Sequence, residues 1–177
     1  CYNTCSVVHK ICPEGILRLQ LLIMDQKLEG NTYVITGATS GIGFAAAEIL
    51  LSQSAYVIGI GRSPESCQKA DERIKSLPPQ GKIAWCAADL GNLANVQILA
   101  EEVQNQLQAW GVPGLEGLLN NAATVPFHQT FTEEGLDSQW AVNHMAPFIL
   151  SVELLPSLKQ GKSARIVTVS SRSHYRG

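Results

Sequence analysis

The residues best suited to chemistry begin at Thr36–Gly43, TGATSGIG. Glycines at 37, 41 and 43 let backbone approach backbone, or a ligand, with no side chain between them. The run follows the apolar stretch Thr32–Thr36 (TYVIT) and precedes apolar residues at helical spacing, so it reads as a turn from strand into helix. Free amides at the start of that helix would face outward, and a pyrophosphate is their natural guest. The spacing is G-x-x-x-G-x-G and not the G-x-G-x-x-G of the broader dinucleotide fingerprint. A tight turn holding no ligand is the plainer alternative. A second candidate is Arg62, which follows the apolar run Tyr56–Gly61 (YVIGIG). A dinucleotide enzyme that prefers NAD places an acid near that point to bond the ribose hydroxyls. Here VIGIGRS offers no acid before Pro64. An arginine suits a 2′-phosphate through charge-assisted, often bidentate hydrogen bonds. The expectation is therefore NADP in preference to NADH, with a solvated surface arginine as the alternative.

These residues need a frame, and the pattern from Gly30 onward supplies one. Short apolar runs at Thr32–Thr36, Tyr56–Gly61, Ile83–Ala87, Leu115–Leu119 and Arg165–Ser170 read as strands. Helices are predicted over Ile42–Ser52, Pro64–Leu77 and Leu93–Trp110, with Pro64 suited to a first turn. A further helical stretch is predicted over Glu133–Leu158, interrupted near Pro147. Continuous β-branched runs alternating with helices imply a parallel sheet covered on both faces. Right-handed crossovers make it a doubly wound α/β sandwich. No repeat or interdomain linker stands out.

Four more motifs fall in order at strand ends or in the following helix. They are Asp89-Leu90, then Asn120-Asn121-Ala122-Ala123, then Asn143 in VNHMAPF, then Ser170-Ser171. With TGATSGIG they resemble the short-chain dehydrogenase/reductase family, across residues 28–177. VNHMAPF and RIVTVSSRSH look most like its retinol-dehydrogenase-like and protochlorophyllide-reductase-like branch. The resemblance implies a Rossmann sheet in the order 3-2-1-4-5, with later strands beyond the fifth. It implies that Gly37, Thr39, Ser40, Gly41, Ile42 and Gly43 cradle the cofactor phosphates. Asp89 would accept from the adenine amino group with Leu90 beside the ring, or serve only as a turn or helix-cap aspartate. Asn120, Ala122 and Ala123 would pass close to the ribose and firm up the central strand; the family usually has glycine where Ala123 stands.

The same resemblance gives Ser171 the task of holding a substrate carbonyl and Asn143 that of holding a water in a proton relay. Their bland readings are a loop serine and a helix asparagine at a kink before Pro147. The family's proton donor belongs to a Tyr-x-x-x-Lys motif on the helix after the fifth strand, a spacing that stacks both side chains on one face. Tyr175 is four residues past Ser171, and position 179 lies beyond this sequence, so Tyr175 reads as a loop residue. The sequence is accordingly read as interrupted at its C-terminal end, with Arg165–Ser170 left as an apolar parallel edge. Such a chain is expected to bind cofactor without turning over. The implied activity is hydride transfer between a nicotinamide and a small-molecule carbonyl or alcohol, in a protein that forms homo-oligomers. A non-catalytic nucleotide-binding regulator and a reductase of carbon–carbon double bonds are the alternatives.

Composition sets the outer limits. The chain has 177 residues, 45% hydrophobic and 16% charged, enough apolar material for one sizeable core and too little charge for disorder. A net charge of −2 offers no electrostatic footprint for nucleic acid or an anionic membrane. No apolar run reaches the length of a membrane span. Five cysteines, an odd number in a chain this long, point to a reducing compartment, the cytoplasm, and not to a disulfide framework. Cys1, Cys5, His9 and Cys12 are the residues a zinc ion would use, but they lack paired close cysteines, so no metal is expected. The first Met is Met24, and residues 1–27 read as a tail or upstream read-through.

Overall fold

A computed structural model describes residues 28–76 and 81–171. The tail, the zinc reading and Tyr175 lie outside them. The strands are β1 (Thr32–Thr36), β2 (Tyr56–Gly61), β3 (Lys82–Ala87), β4 (Gly117–Asn120) and β5 (Arg165–Thr168). The helices are α1 (Gly41–Ser52), α2 (Pro64–Lys75) and α3 (Leu93–Trp110). There follow α4 (Ser138–Trp140), a π-helical turn (Ala141–Met145), α5 (Ala146–Glu153) and α6 (Leu155–Lys159). The strands form one parallel sheet in the order β3-β2-β1-β4-β5, the order expected.

The continuous apolar runs are explained by burial on both faces. Val34 pairs across the sheet with Ile58 and Leu118, and all three point toward α3 and α5, among Val96, Leu99 and Leu150. Ile35 and Val57 point the other way, onto Ala47, Leu51 and Ile74 of α1 and α2. Fully burying each such branched side chain contributes roughly 1.5–3 kcal/mol; the buried threonines of β1, Thr32 and Thr36, stand at its two ends. Trp85 belongs to this frame: its ring lies where a Gly59 side chain would be, and its Nε1 donates to Asp71 at 3.1 Å.

Several boundaries differ from expectation. Leu115 and Glu116 precede β4, because the Leu115 amide donates to Ser157 O in the α6 turn; Leu115 is buried all the same. The long helical stretch begins at Ser138, not Glu133, because Asp137 caps it by accepting from the Gln139 and Trp140 amides. The α-helical pattern is interrupted next to Pro147, where the π turn passes into α5, and a second break falls at Leu154–Leu155. β5 stops at Thr168 and forms an edge, with Ile166 and Val167 46% and 52% exposed. No helix among the described residues is long and apolar enough to cross a membrane.

Cys67 and Cys86 are free and buried where α2 meets β3. Burial, with Glu102 and then Cys67 adding repulsion, pushes the Cys86 thiol from 9.0 up to about 12. The unfolded chain releases this proton near its ordinary value while the folded chain keeps it. Stability is therefore intact below pH 9 and declines from pH 9 toward 12, by at most about 1.4 kcal/mol per pH unit from this group. Urea denaturation at pH 8 and pH 10.5 should show the decline, and Cys86→Ala should flatten it. An equal slope in the variant would assign the decline to other groups.

Candidate cofactor site

The cleft lies at the carboxyl ends of β1, β2 and β4, where the strand order reverses between β1 and β4. Open α/β sheets bind ligands at that point. Its volume is about 470 Å³. Two strand ends are locked together to make its floor. The buried Thr36 Oγ1 accepts from the Asn121 and Ala122 amides at 2.9 and 3.0 Å. In return Asn121 Nδ2 donates to the Thr36 and Gly37 carbonyls at 3.0 and 3.3 Å. Gly37 turns at φ +66°, and a side chain there would press on Ala122 Cα.

The helix that opens from this turn is uncapped. Ser40 is the N-cap of α1 and its side chain makes no capping hydrogen bond. The longer helices elsewhere are capped: Ser63 accepts from Ser66 at α2, and Asn92 from Asn95 at α3. The first amides of a helix have no partner within it. At α1 they are those of Gly41, Ile42 and Gly43, and nothing crowds the space beside Gly41. An uncapped start next to a cleft fits a pyrophosphate, which would supply the missing acceptors.

The sequence-predicted residues separate into three groups. Gly37, Thr39, Ser40, Arg62, Asp89, Leu90, Ala122 and Ala123 all line the cleft. Arg62 stands at its β2 side with an exposed guanidinium that has no partner among the described residues. One Asp89 oxygen accepts from the Gly91 amide at 2.9 Å, so the turn-aspartate reading holds, and the residue still borders the cleft. Gly43 acts by packing: a side chain there would run into the Gly37 carbonyl. Gly41 and Ile42 do not line the cleft; both are exposed, Ile42 at 68%.

The remaining three sit elsewhere. Asn120 is a correction: its side chain is buried on the α5 side, with Nδ2 toward Ser151 Oγ at 3.4 Å, and it is Asn121 that borders the cleft. Successive side chains of a strand point to opposite faces, so only one of the pair can do so. Asn143 lies in the π turn. Its Oδ1 accepts from the Thr124 amide and its Nδ2 donates to the Thr124 carbonyl, both at 2.8 Å. That clamp holds the segment just after Ala123. Ser171 is exposed beyond β5 and does not border the cleft. Besides Asn121, sequence reasoning passed over Ser66 and Val142, which also line it. The Ser-x-x-Ser pair at Ser63 and Ser66, just after Arg62, was a readable capping signal.

A doubly wound parallel sheet with a glycine turn and an uncapped helix at the strand switch defines a nucleotide-binding α/β domain. The short chain dehydrogenase family profile matches residues 31–176, and the chain belongs to that family of oxidoreductases. The chain is 35% identical over 153 residues to the WW domain-containing oxidoreductase of Gallus gallus, covering 86% of this chain and 36% of the relative. It is 34% identical over 148 residues to short-chain dehydrogenase TIC 32 A, chloroplastic, of Brassica napus, covering 81% and 45%. The chain thus spans less than half the length of these relatives. Among solved structures, a metagenomic short-chain oxidoreductase in complex with NADP aligns with a TM-score of 0.68 and 30% identity. That alignment covers 82% of this chain and 64% of the other.

Proposed function

We propose that residues 28–171 form the cofactor-binding part of an NADP-preferring oxidoreductase, which moves hydride between a nicotinamide and a carbonyl or alcohol. The observation that carries this is that the uncapped α1 start at Ser40 and Arg62, which has no partner among the described residues, border one cleft. The α1 amides and the Thr39–Ser40 segment would hold the pyrophosphate, Arg62 the 2′-phosphate, and Asp89 and Leu90 the adenine. The bound nicotinamide supplies or accepts hydride. Asn121, Thr36 and Asn143 keep the β1 and β4 ends in register beneath it. Ser171 as carbonyl holder and Asn143 as water holder belong to the whole protein, as do homo-oligomer formation and the substrate. NADP in a structural neighbour supports the cofactor choice. The buried free cysteines support a reducing compartment such as the cytoplasm.

Fluorescence titration with NADPH and NADH tests the reading. Removing a charge-assisted contact costs about 1.5–3 kcal/mol, so Arg62→Ala should weaken NADPH binding roughly ten- to a hundredfold. NADH should bind as before. Equal binding of both cofactors, untouched by Arg62→Ala, would overturn the preference. The resemblance of VNHMAPF to the retinol-dehydrogenase-like and protochlorophyllide-reductase-like branch keeps a second chemistry in play, reduction of a carbon–carbon double bond. A panel of carbonyls set against conjugated alkenes, assayed with the whole protein, separates the two.

A further inference from the structure

Arg62 borders a second cavity of about 490 Å³ beside the cofactor cleft. One wall is the turn Asp89–Asn92 after β3. The opposite wall is a hairpin, Thr130–Ser138, that the sequence did not reveal. The hairpin is built, not loose. Phe131 and Asp137 form an antiparallel bridge, and the Ser138 amide and hydroxyl both donate to the Thr130 carbonyl at 2.9 Å. Thr132 closes the tip: its amide donates to Leu136 O at 2.8 Å and its hydroxyl accepts from the Leu136 amide at 3.2 Å. Gly135, at φ +78°, completes the turn. The Thr132 methyl rests near Gly91, which docks the tip on the β3 turn.

Glu133 and Glu134 of this hairpin line the cavity that Arg62 also lines; Asp89, the other acid there, already accepts from the Gly91 amide. Neither glutamate carboxylate has a partner among the described residues, and neither has the guanidinium. Opposite charges sharing a small cavity attract within the screening length of ordinary buffer. A long arginine side chain at the boundary of two cavities can serve either. We propose that Glu133 and Glu134 compete with a cofactor's 2′-phosphate for the Arg62 guanidinium, and so restrain the preference for NADP over NAD. The inference rests on the cofactor reading above and adds a specificity device outside the cleft. Without the acids, Arg62 stays available to the phosphate; a cofactor lacking that phosphate gains nothing.

The test is titration of the chain with NADPH and with NADH, comparing wild type, Glu133→Gln, Glu134→Gln and the double variant. Exposed ion pairs are individually weak, so the double variant should bind NADPH about three- to tenfold more tightly. NADH affinity should not change. The gain should vanish at high salt and in an Arg62→Ala background, the signature of a coupled pair. Thermal melts confirm folding, and because both side chains are exposed the single variants serve as independent replicates. Parallel shifts for both cofactors, no shift, or a gain that survives loss of Arg62 would each overturn the competition. Failure of folded wild type to bind either dinucleotide would instead overturn the cofactor reading itself, and this inference with it.

Discussion

Gly43→Ala is expected to cost about 1–3 kcal/mol of stability, as overpacking of a well-filled site does, and to weaken NADPH binding at least about tenfold. A Cβ at Gly43 would enter the Gly37 carbonyl, with the carbonyl carbon at 2.9 Å and Asn121 Nδ2 at 2.6 Å. The first two are backbone and cannot swing aside. Gly37 is itself pinned, since its own missing Cβ faces Ala122 Cα at 3.0 Å. The helix must therefore lift away from the turn, carrying its first amides out of the cleft. Gly41→Ala is the informative control. Gly41 has φ +55° and open space around it, so an alanine there meets only the left-handed backbone strain of about 1–2 kcal/mol. Urea denaturation with cofactor titration separates the two. Wild-type affinity in Gly43→Ala would show that the amide cradle does not depend on this contact.

The difference between those glycines was not legible in the motif. TGATSGIG announces a turn into a helix, but which glycine makes room for backbone and which makes a left-handed bend depends on the β4 end, some eighty residues away. The central strands β1, β2 and β4 were readable because both of their faces are buried, which leaves an unbroken apolar run that a helix of one apolar stripe does not show. The Glu133–Asp137 segment misled for the opposite reason. Its acids and Leu136 suit a helix, yet Thr132 and Gly135 close a hairpin whose amides are already spoken for. Pro147 was a truer signal: a proline has no amide to donate back into the preceding turn, and the π turn lies directly ahead of it.

The Asn120–Asn121 pair shows the same limit at the level of one residue. Both are asparagines at a strand end, and alternation sends one inward and one to the cleft. Choosing between them requires knowing which face Leu118 and Leu119 present. Leu118 is buried among the α3 and α5 residues, and Leu119 packs against the α1 side. Asn120 therefore follows Leu118 toward Ser151, and its Oδ1 is left buried with no partner among the described residues. Asn121 follows Leu119 to the α1 side, where it meets the glycine turn.

That meeting makes Thr36 the residue on which the site's floor depends. Thr36→Val keeps the shape and removes the oxygen, leaving the Asn121 and Ala122 amides without the acceptor they share. A stranded buried donor costs about 1–3 kcal/mol, and these two are half-buried, so the pair should cost roughly 2–4 kcal/mol in all. At roughly 2–4 °C per kcal/mol for a chain of this size, the melting temperature should fall by about 4–16 °C. Thr36→Ser restores the oxygen and gives up one methyl group, about 1 kcal/mol. The serine variant should therefore keep most of the stability and bind NADPH like wild type, while the valine variant loses both. The ordering is what matters. Valine carries one more methyl group than threonine and serine one fewer, so apolar burial favours the valine variant, and a lower melting temperature for it can come only from the lost hydrogen bonds. A valine variant melting well above the serine variant would mean that the β4 end is held by Asn121 Nδ2 alone, and that the Thr36 oxygen is a bystander beneath the cleft.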